Sequence, residues 1–91
     1  MRYFTTRAFD SGVHALPELR KRRVKKSLAK TVAFFETGDL PQGLGMKPLG
    51  RSLWEIRAGL RDRIIFLKKQ ETIEFLLVGS HDEVRKFLKE Q

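Results

Sequence analysis

The chain has 91 residues, of which 19 are Lys or Arg and 11 are Asp or Glu, so its formal net charge at pH 7 is +8. This length accommodates one compact domain with a modest core, and we expect a single domain over residues 1–91. The absence of cysteine excludes a disulfide framework, and with only two histidines we expect neither a metal site nor a cofactor. The basic excess favours a polyanionic partner such as RNA, DNA, an acidic protein or an anionic membrane surface.

The sequence offers no segment for membrane insertion or export. Its apolar runs are only a few residues long, whereas about 20 residues are needed to span a bilayer. The N-terminal stretch MRYFTTRAF lacks the apolar segment of a signal peptide. We therefore expect a cytoplasmic protein that does not bind membranes.

The N-terminal segment predicts a strand followed by a short helix. Residues 2–6, RYFTT, are rich in aromatic and β-branched side chains, which favour a strand. Three apolar residues then recur at the spacing of one helix face: Phe9, Val13 and Leu16. A short helix that ends before Pro17 accounts for this pattern.

A longer helix is predicted over residues 17–37. Pro17 suits its first turn, where a backbone N–H would have no partner in any case. Gly38 is placed for a left-handed C-terminal cap. The predicted core-facing stripe has spacings of four, four and three residues: Val24, Leu28, Val32 and Phe35. Residues 39–50 contain two prolines and three glycines, so a loop is predicted there.

Residues 52–67, SLWEIRAGLRDRIIFL, predict a β-hairpin. Apolar side chains alternate on both sides of the AGLRD break, as in strands with one buried face. If Ile56 and Ile64 lie opposite each other in the core, the loop must contain an odd number of residues, for instance three. Arg57 then lies directly opposite Arg63 on the second face.

The second face of the predicted hairpin is charged. Glu55 is expected one pair further on from the two arginines, opposite Ile65. Like charges directly opposite each other, such as Arg57 and Arg63, destabilise a sheet by up to ~1 kcal/mol. This cost indicates that an anion belongs between them.

Residues 72–79, TIEFLLVG, predict the next strand of the meander. The segment is apolar on both faces, which is typical of an interior strand, whereas the charged first hairpin strand is expected nearer an edge. We expect Leu76 and Val78 on the second face. Three side chains are expected to join the buried face of the hairpin: Ile73, Phe75 and Leu77.

A last helix is predicted from about Ser80, because Ser80 and Glu83 have the spacing of a capping box. The elements together predict an α+β domain of order β-α-α-β-β-β-α, with a small antiparallel-rich four-stranded sheet, two N-terminal helices on one face and a short C-terminal helix. We expect the helices to cover one sheet face and to leave the charged face open. The apolar side of the last helix is formed by Val84, Phe87 and Leu88.

The open charged face has the groups that RNA cleavage without a metal requires. Such cleavage needs a base for the 2′-hydroxyl, an acid for the leaving 5′-oxygen and cations around the phosphorane. Arg57 and Arg63 can clamp a phosphate, and Lys47 can reach it from the preceding loop. Glu55 or His81 can move protons. Each residue also has an ordinary explanation, since charges keep a sheet face soluble and SHDE is a good helix start.

Further cations are candidates for RNA contacts. The basic run RKRRVKK, residues 20–26, either forms a solvated helix face or faces RNA or a protein partner, and the sequence leaves both open. The candidate RNA-binding residues are Lys21, Arg22, Lys25 and Lys26 in this run, together with Arg51, Arg61 and Arg85.

The sequence resembles the RelE/ParE superfamily of toxins from toxin–antitoxin systems. The resemblance covers nearly the whole chain and rests on the basic two-helix N-terminal half followed by MKPLG, SLWEIR, DRIIFL, IEFLLVG and GSHDEVRKF. It implies a metal-independent endoribonuclease, an mRNA interferase that cuts message in the ribosomal A site. It also implies a cognate RelB-like antitoxin as inhibitor, with a monomeric toxin when alone and a hetero-oligomer when bound.

The resemblance implies roles for individual residues. Arg63 matches the strand arginine that stabilises phosphate, Arg57 and Glu55 match charged positions of the preceding strand, and Lys47 lies in the approach to that strand. Many members carry a catalytic tyrosine or a His–Arg pair near the last strand. This chain instead has His81 in the sequence SHD, and its single tyrosine belongs to the first strand. The resemblance therefore does not decide which residue transfers protons.

Two other functions remain open from the sequence. One is a ParE-like protein that poisons DNA gyrase, and the other is a non-catalytic relative that binds RNA or an antitoxin. Convergence of Arg57, Arg63 and His81 on one face would favour RNA cleavage, because a gyrase inhibitor needs no phosphate clamp. With Arg63 placed outside the core, its replacement by alanine is expected to change stability by no more than about 0.5 kcal/mol.

Overall fold

The computed structural model describes residues 1–90 and contains five strands and three helices. The strands form one sheet in the order β1-β5-β4-β3-β2, in which β1 and β5 are parallel and the other neighbours are antiparallel. None of the helices within the described residues is long and apolar enough to cross a membrane. The elements in chain order are β1 (Arg2–Thr5), α1 (Arg7–His14), α2 (Glu18–Thr37), β2 (Lys47–Gly50), β3 (Leu53–Ala58), β4 (Asp62–Lys69), β5 (Thr72–Gly79) and α3 (His81–Lys89).

Local signals account for the limits of the first two helices. Thr6 caps α1, because its side-chain oxygen accepts a hydrogen bond from the backbone N–H of Phe9 at 3.0 Å. Pro17 is the N-cap of α2, one residue before the first helical turn in which it was expected. Gly38 ends α2 with a left-handed φ of +82°, as predicted.

The predicted loop over residues 39–50 is wrong at its C-terminal end, where β2 pairs with β3 as a fifth strand. Lys47 lies opposite Glu55, and the register shifts between Pro48 and Gly50. An edge strand tolerates proline and an irregular register because it pairs on one side only. The four-stranded sheet was therefore an undercount. The strand β3, which was expected nearer an edge, lies next to the edge strand β2.

The predicted hairpin register is confirmed. Ile56 lies opposite Ile64 and Arg57 opposite Arg63, and the last pair, Ala58 and Asp62, leaves a loop of three residues. The main core lies between this sheet face and the helices α1 and α2. Its buried side chains come mainly from α1, α2 and the three central strands: Phe9, Val24, Leu44, Ile56, Ala58, Ile64, Phe66, Ile73, Phe75 and Val78.

The expectation that the second sheet face is open is wrong, because α3 packs on it. Val84 of α3 is buried with Leu53 and Ile65 in a second, smaller core. Half-buried leucines of the sheet and two apolar residues of α3 surround it: Leu49, Leu67, Leu76, Leu77, Phe87 and Leu88. Ile65 pairs with Leu77 and Phe66 with Phe75, so Leu76 is an extra residue of β5, as in a β-bulge. This bulge is the reason that the predicted faces of Leu77 and Val78 are exchanged.

Candidate functional site: a charged row across three strands

A buried carboxylate organises the charged end of the second sheet face. Glu55 is only 3 % exposed. Arg63 donates a hydrogen bond from Nη1 to Glu55 Oε2 at 3.5 Å, and Lys47 Nζ lies 3.5 Å from the same oxygen. The strand register explains the cluster, since Lys47 pairs with Glu55 across β2 and β3, and Arg63 lies diagonally across on β4. Three of the predicted site residues therefore form one ion cluster.

The two arginines lie in a row that continues onto β5. Arg57 pairs with Arg63, and Arg63 pairs with Gly79. We refer to Arg57, Arg63 and Gly79 as the arginine row. The Arg63 side chain is 17 % exposed and bonded to Glu55, whereas Arg57 is exposed. Glu55 thus supplies part of the negative charge that the opposed arginines were expected to need.

His81 lies at the same end of the sheet as the arginine row, because it follows Gly79 by two residues. It is the first residue of α3 and is exposed. The predicted capping box is confirmed: Glu83 N donates to Ser80 Oγ at 3.2 Å, and Ser80 N donates to Glu83 Oε1 at 2.9 Å. The His81 side chain makes no hydrogen bond or ion pair within residues 1–90, so its imidazole is accessible from the solvent.

The remaining candidate RNA contacts are not all near the row. Arg61 is exposed in the β3–β4 loop, directly after the Arg57 strand, and Arg85 is exposed one helical turn after His81. Arg51 lies in the turn between β2 and β3, with a φ of +54°. That turn is at the opposite end of the sheet from the arginine row.

The basic run of α2 is divided among different surroundings. Arg22 is exposed and lies 4.0 Å from Glu18 on the same helix. Lys21 and Lys25 line a shallow depression between α1 and α2. Lys26 lies on another side of the helix, close to β3. The run is therefore neither a single solvated face nor a single binding face.

A second buried carboxylate was missed by the sequence analysis. Arg20 donates from Nε and Nη2 to the two carboxylate oxygens of Asp62 at 2.9 and 2.7 Å, and Asp62 is 2 % exposed. The hydrogen bonds to Asp62 raise the pKa of Arg20 further above its ordinary value. The alternation of β4 could have predicted the burial of Asp62, because Asp62 lies on the same strand face as Ile64 and Phe66.

A hydrogen bond between β1 and α2 was also missed. Tyr3 donates its phenolic O–H to Glu36 Oε1 at 2.6 Å. The pKa of Tyr3 is raised to about 12, mainly by burial of the phenol and next by the hydrogen bond to Glu36. Among residues 1–90, no group of three or more His, Cys, Asp or Glu side chains is arranged to hold a metal ion.

Comparison with protein-family models gives no match, and comparison with curated protein sequences gives none. Solved structures do match. A chain of the RelB–RelE antitoxin–toxin complex from Methanococcus jannaschii has a TM-score of 0.70 and 17 % identity, and the match covers 92 % of this chain and 96 % of that chain. YafQ from E. coli has a TM-score of 0.63 and 14 % identity, with coverage of 92 % and 98 %.

An archaeal example extends the comparison. A chain of the RelE–RelB complex from Pyrococcus horikoshii has a TM-score of 0.64 and 19 % identity, and the match covers 87 % of this chain and 92 % of that chain. Each of these matches spans almost the whole length of both compared chains. They agree with the observed α+β architecture, including its five-stranded mixed sheet. This chain therefore has the RelE-like toxin fold, the fold of RelE and YafQ proteins from toxin–antitoxin complexes.

Proposed function

We propose that the protein is the toxin of a type II toxin–antitoxin system and acts in the cytoplasm as a ribosome-dependent mRNA endonuclease. The observation that carries this proposal is the arginine row beside the Glu55 cluster, with His81 at the same end of the sheet. Guanidinium groups held on a rigid sheet can bind a phosphate with two hydrogen bonds each. The RelE-like fold supports the assignment to the toxin class.

The proposed reaction divides its roles among the row residues. The 2′-oxygen attacks phosphorus and the bond from phosphorus to the 5′-oxygen breaks, so one proton leaves the 2′-hydroxyl and one arrives at the 5′-oxygen. Exposed Arg57 and the accessible part of Arg63 stabilise the negative charge that develops on phosphorus. We assign His81 to one of the two proton transfers, since histidine exchanges protons near neutral pH.

Glu55 and Lys47 act differently in this proposal. Glu55 is buried and already faces two cations, so it positions Arg63 and does not contact the substrate. Lys47 is more exposed than Glu55 and adds positive charge at the border of the site. This scheme requires no metal ion at any step.

We further propose an acidic RelB-like antitoxin as the partner. The structural relatives from M. jannaschii and P. horikoshii are complexes of RelE with RelB. The net charge of +8 favours an acidic partner, because complementary charge speeds encounter and selects the correct partner. If the protein and the product of the adjacent gene, expressed together, elute separately from a sizing column at low salt, this partner assignment is wrong.

The test of activity is toeprinting of translating ribosomes with the purified protein. We expect discrete cuts within the A-site codon with the wild type and strongly reduced cutting with Arg57→Ala. The matched control is Lys69→Ala, which removes one exposed cation at the far end of β4 and should cut like the wild type. Absence of cuts with folded wild type would refute the proposal. Inhibition of gyrase supercoiling in its place would support a ParE-like function.

A further inference from the structure

One side of α2 and the adjoining part of β3 enclose a shallow cavity of about 300 Å³. We call it the α2–β3 groove. Ser27 also lines it, and its Oγ donates a hydrogen bond to the carbonyl oxygen of Arg57 at 3.1 Å, which fixes the helix against the strand. The other lining residues are four cations and two glycines: Arg23, Lys26, Lys30, Arg57, Gly43 and Gly59.

The groove cations differ from the paired cations of the molecule. Carboxylates neutralise four basic side chains elsewhere: Arg20, Arg22, Lys47 and Arg63. No acidic residue lines the groove. Within residues 1–90, no ion pair involves a groove cation, namely Arg23, Lys26, Lys30 or Arg57. The groove is therefore a local concentration of uncompensated positive charge.

The backbone arranges these cations in a line. Arg23, Lys26 and Lys30 are spaced by three and four residues, so they share one face of α2 and extend ~10 Å along its axis. Gly59 has a φ of +94°, and a Cβ at this position would lie 3.1 Å from Arg23 Cδ. The glycine thus allows Arg23 to lie against the hairpin loop, next to the strand that carries Arg57.

We propose that the α2–β3 groove binds the phosphate backbone of a single-stranded RNA that continues to the arginine row. Arg57 belongs to both places, so the groove and the row form one continuous cationic surface. That the strand is a message being cut rests on the proposed function. Binding of the strand does not depend on cleavage.

The lining favours RNA over an acidic protein. Protein interfaces rely on buried apolar and aromatic anchors, and the groove is lined only by arginines, lysines, a serine and glycines. A phosphate backbone needs only cations along a track, since its binding is driven by counterion release. A polyanion in the groove also relieves the mutual repulsion of its four cations.

The proposal is tested with Lys26→Gln/Lys30→Gln and a charge-matched control, Lys69→Gln/Lys89→Gln. Both variants lose two positive charges, but Lys69 and Lys89 are exposed residues of β4 and α3 outside the groove. The probe is a short, fluorescently labelled single-stranded RNA with 2′-O-methyl groups, which cannot be cut by its own 2′-oxygen. Affinity is measured by anisotropy as a function of salt concentration, with melting curves on the same samples.

We expect the groove variant to bind this RNA about tenfold or more weakly than the control. The slope of log affinity against log salt should fall by about 1.4 relative to wild type, as for two lost phosphate contacts on a single strand. Equal losses in both variants, or no binding by folded wild type, would overturn the proposal. So would a labelled polyglutamate peptide that binds wild type as tightly as the RNA and loses as much affinity in the groove variant.

Failure of this proposal differs from failure of the proposed function. If the wild type binds the 2′-O-methyl RNA through the groove but leaves ribosome-bound message intact, the groove proposal stands and the nuclease proposal fails. If the wild type cuts message, and the groove variant binds RNA and cuts message like the control, the nuclease proposal stands and the groove proposal fails.

Discussion

The two buried carboxylates lie on opposite faces of the same hairpin and are held in different ways. Asp62 takes both hydrogen bonds from one guanidinium group, at 2.7 and 2.9 Å. Glu55 has one oxygen that faces two cations, Arg63 and Lys47, each at 3.5 Å. In the first arrangement, each carboxylate oxygen accepts a hydrogen bond from the same guanidinium group. The second leaves N–H donors of both cations available for another anion.

The origin of the cations explains this difference. Arg20 comes from α2, 42 residues away from Asp62 in sequence, so their ion pair ties the helix to the sheet. Arg63 and Lys47 come from the strands on either side of Glu55 and need no helix to position them. The Arg20–Asp62 pair therefore serves the fold, whereas the Glu55 cluster lies within the sheet surface to which we assign substrate binding in the proposed function.

The largest effect on stability is expected for Arg20→Ala, which leaves Asp62 buried without a cation. Removing one partner of a buried ion pair is strongly destabilising, and we expect the melting temperature to fall by about 10 °C or more. Thermal unfolding followed by circular dichroism measures this. The control is Arg22→Ala, whose exposed pair with Glu18 at 4.0 Å should change the melting temperature by about 4 °C at most. Equal shifts of the melting temperature in the two variants would contradict the claim that the Arg20–Asp62 pair stabilises the fold more than the Arg22–Glu18 pair does.

Arg63→Ala is expected to affect both activity and stability. Loss of one preorganised cation at the developing phosphorane should slow single-turnover cutting of ribosome-bound message by about 10²-fold. The free energy of unfolding should fall by about 1–3 kcal/mol, because buried Glu55 then retains only Lys47. This exceeds the change of about 0.5 kcal/mol that the sequence analysis predicted for a surface position.

Arg63→Lys separates the two effects. An ammonium group can neutralise Glu55 but cannot form the two-pronged contact of a guanidinium group. We expect this variant to recover most of the stability and only part of the cutting. Full cutting by either Arg63 variant would show that the arginine row does not clamp the phosphate.

Glu55→Gln tests whether the carboxylate positions Arg63. The change keeps the shape and removes the charge, so Arg63 and Lys47 lose the carboxylate that they share. Arg63 then faces Arg57 without this ion partner, and opposed like charges cost up to ~1 kcal/mol. Cutting should fall by about tenfold, less than in Arg63→Ala, because both arginines remain. Glu55→Asp should restore part of the cutting, whereas a purely structural role predicts the same cutting rate for both variants once they are folded.

The smallest expected effect concerns a third carboxylate, Glu36, which accepts a hydrogen bond from a neutral donor, Tyr3. Tyr3→Phe should lower the free energy of unfolding at neutral pH by about 0.5–1.5 kcal/mol. The pKa of Tyr3 is raised to about 12 in the folded protein, from about 10 in an unfolded chain. The protonated phenol therefore stabilises the fold fully below about pH 10, and this contribution is lost as the pH rises towards 12.

This pH dependence can be isolated from that of the lysines. The difference in unfolding free energy between wild type and Tyr3→Phe should be constant below about pH 10 and should shrink above it. Phenolate absorbance of the folded wild type measures the titration directly. A phenol that titrates at its ordinary pH in the folded protein would contradict the hydrogen bond to Glu36.

Local sequence patterns were sufficient for the hairpin and the helices. The pairing of Arg57 with Arg63 followed from parity alone, because an odd loop is needed to place Ile56 and Ile64 on the same face. Gly38 and Ser80 marked helix ends by their backbone and side-chain chemistry. These features depend on neighbours a few residues apart.

The features that were missed depend on tertiary structure. The strand β2 contains Pro48 and Gly50, and only its pairing with β3 makes it a strand. The bulge beside Phe66 moves Val78 into the main core, and alternation alone cannot locate such an extra residue. The contact of Arg20 with Asp62 joins distant parts of the chain, so local patterns did not reveal it. The sequence therefore predicted one charged sheet face and did not separate the two carboxylate clusters.

The pairing of β1 with β5 has a consequence for the time at which the fold and the arginine row are completed during synthesis. Residues 2–5 pair in parallel with residues 72–75, and Thr6 donates a hydrogen bond to the carbonyl oxygen of Leu76, 70 residues away. Such contacts form only after a long loop has closed. The arginine row also ends at Gly79. During synthesis, the first strand therefore has no partner and the row is incomplete until almost the whole chain has been made.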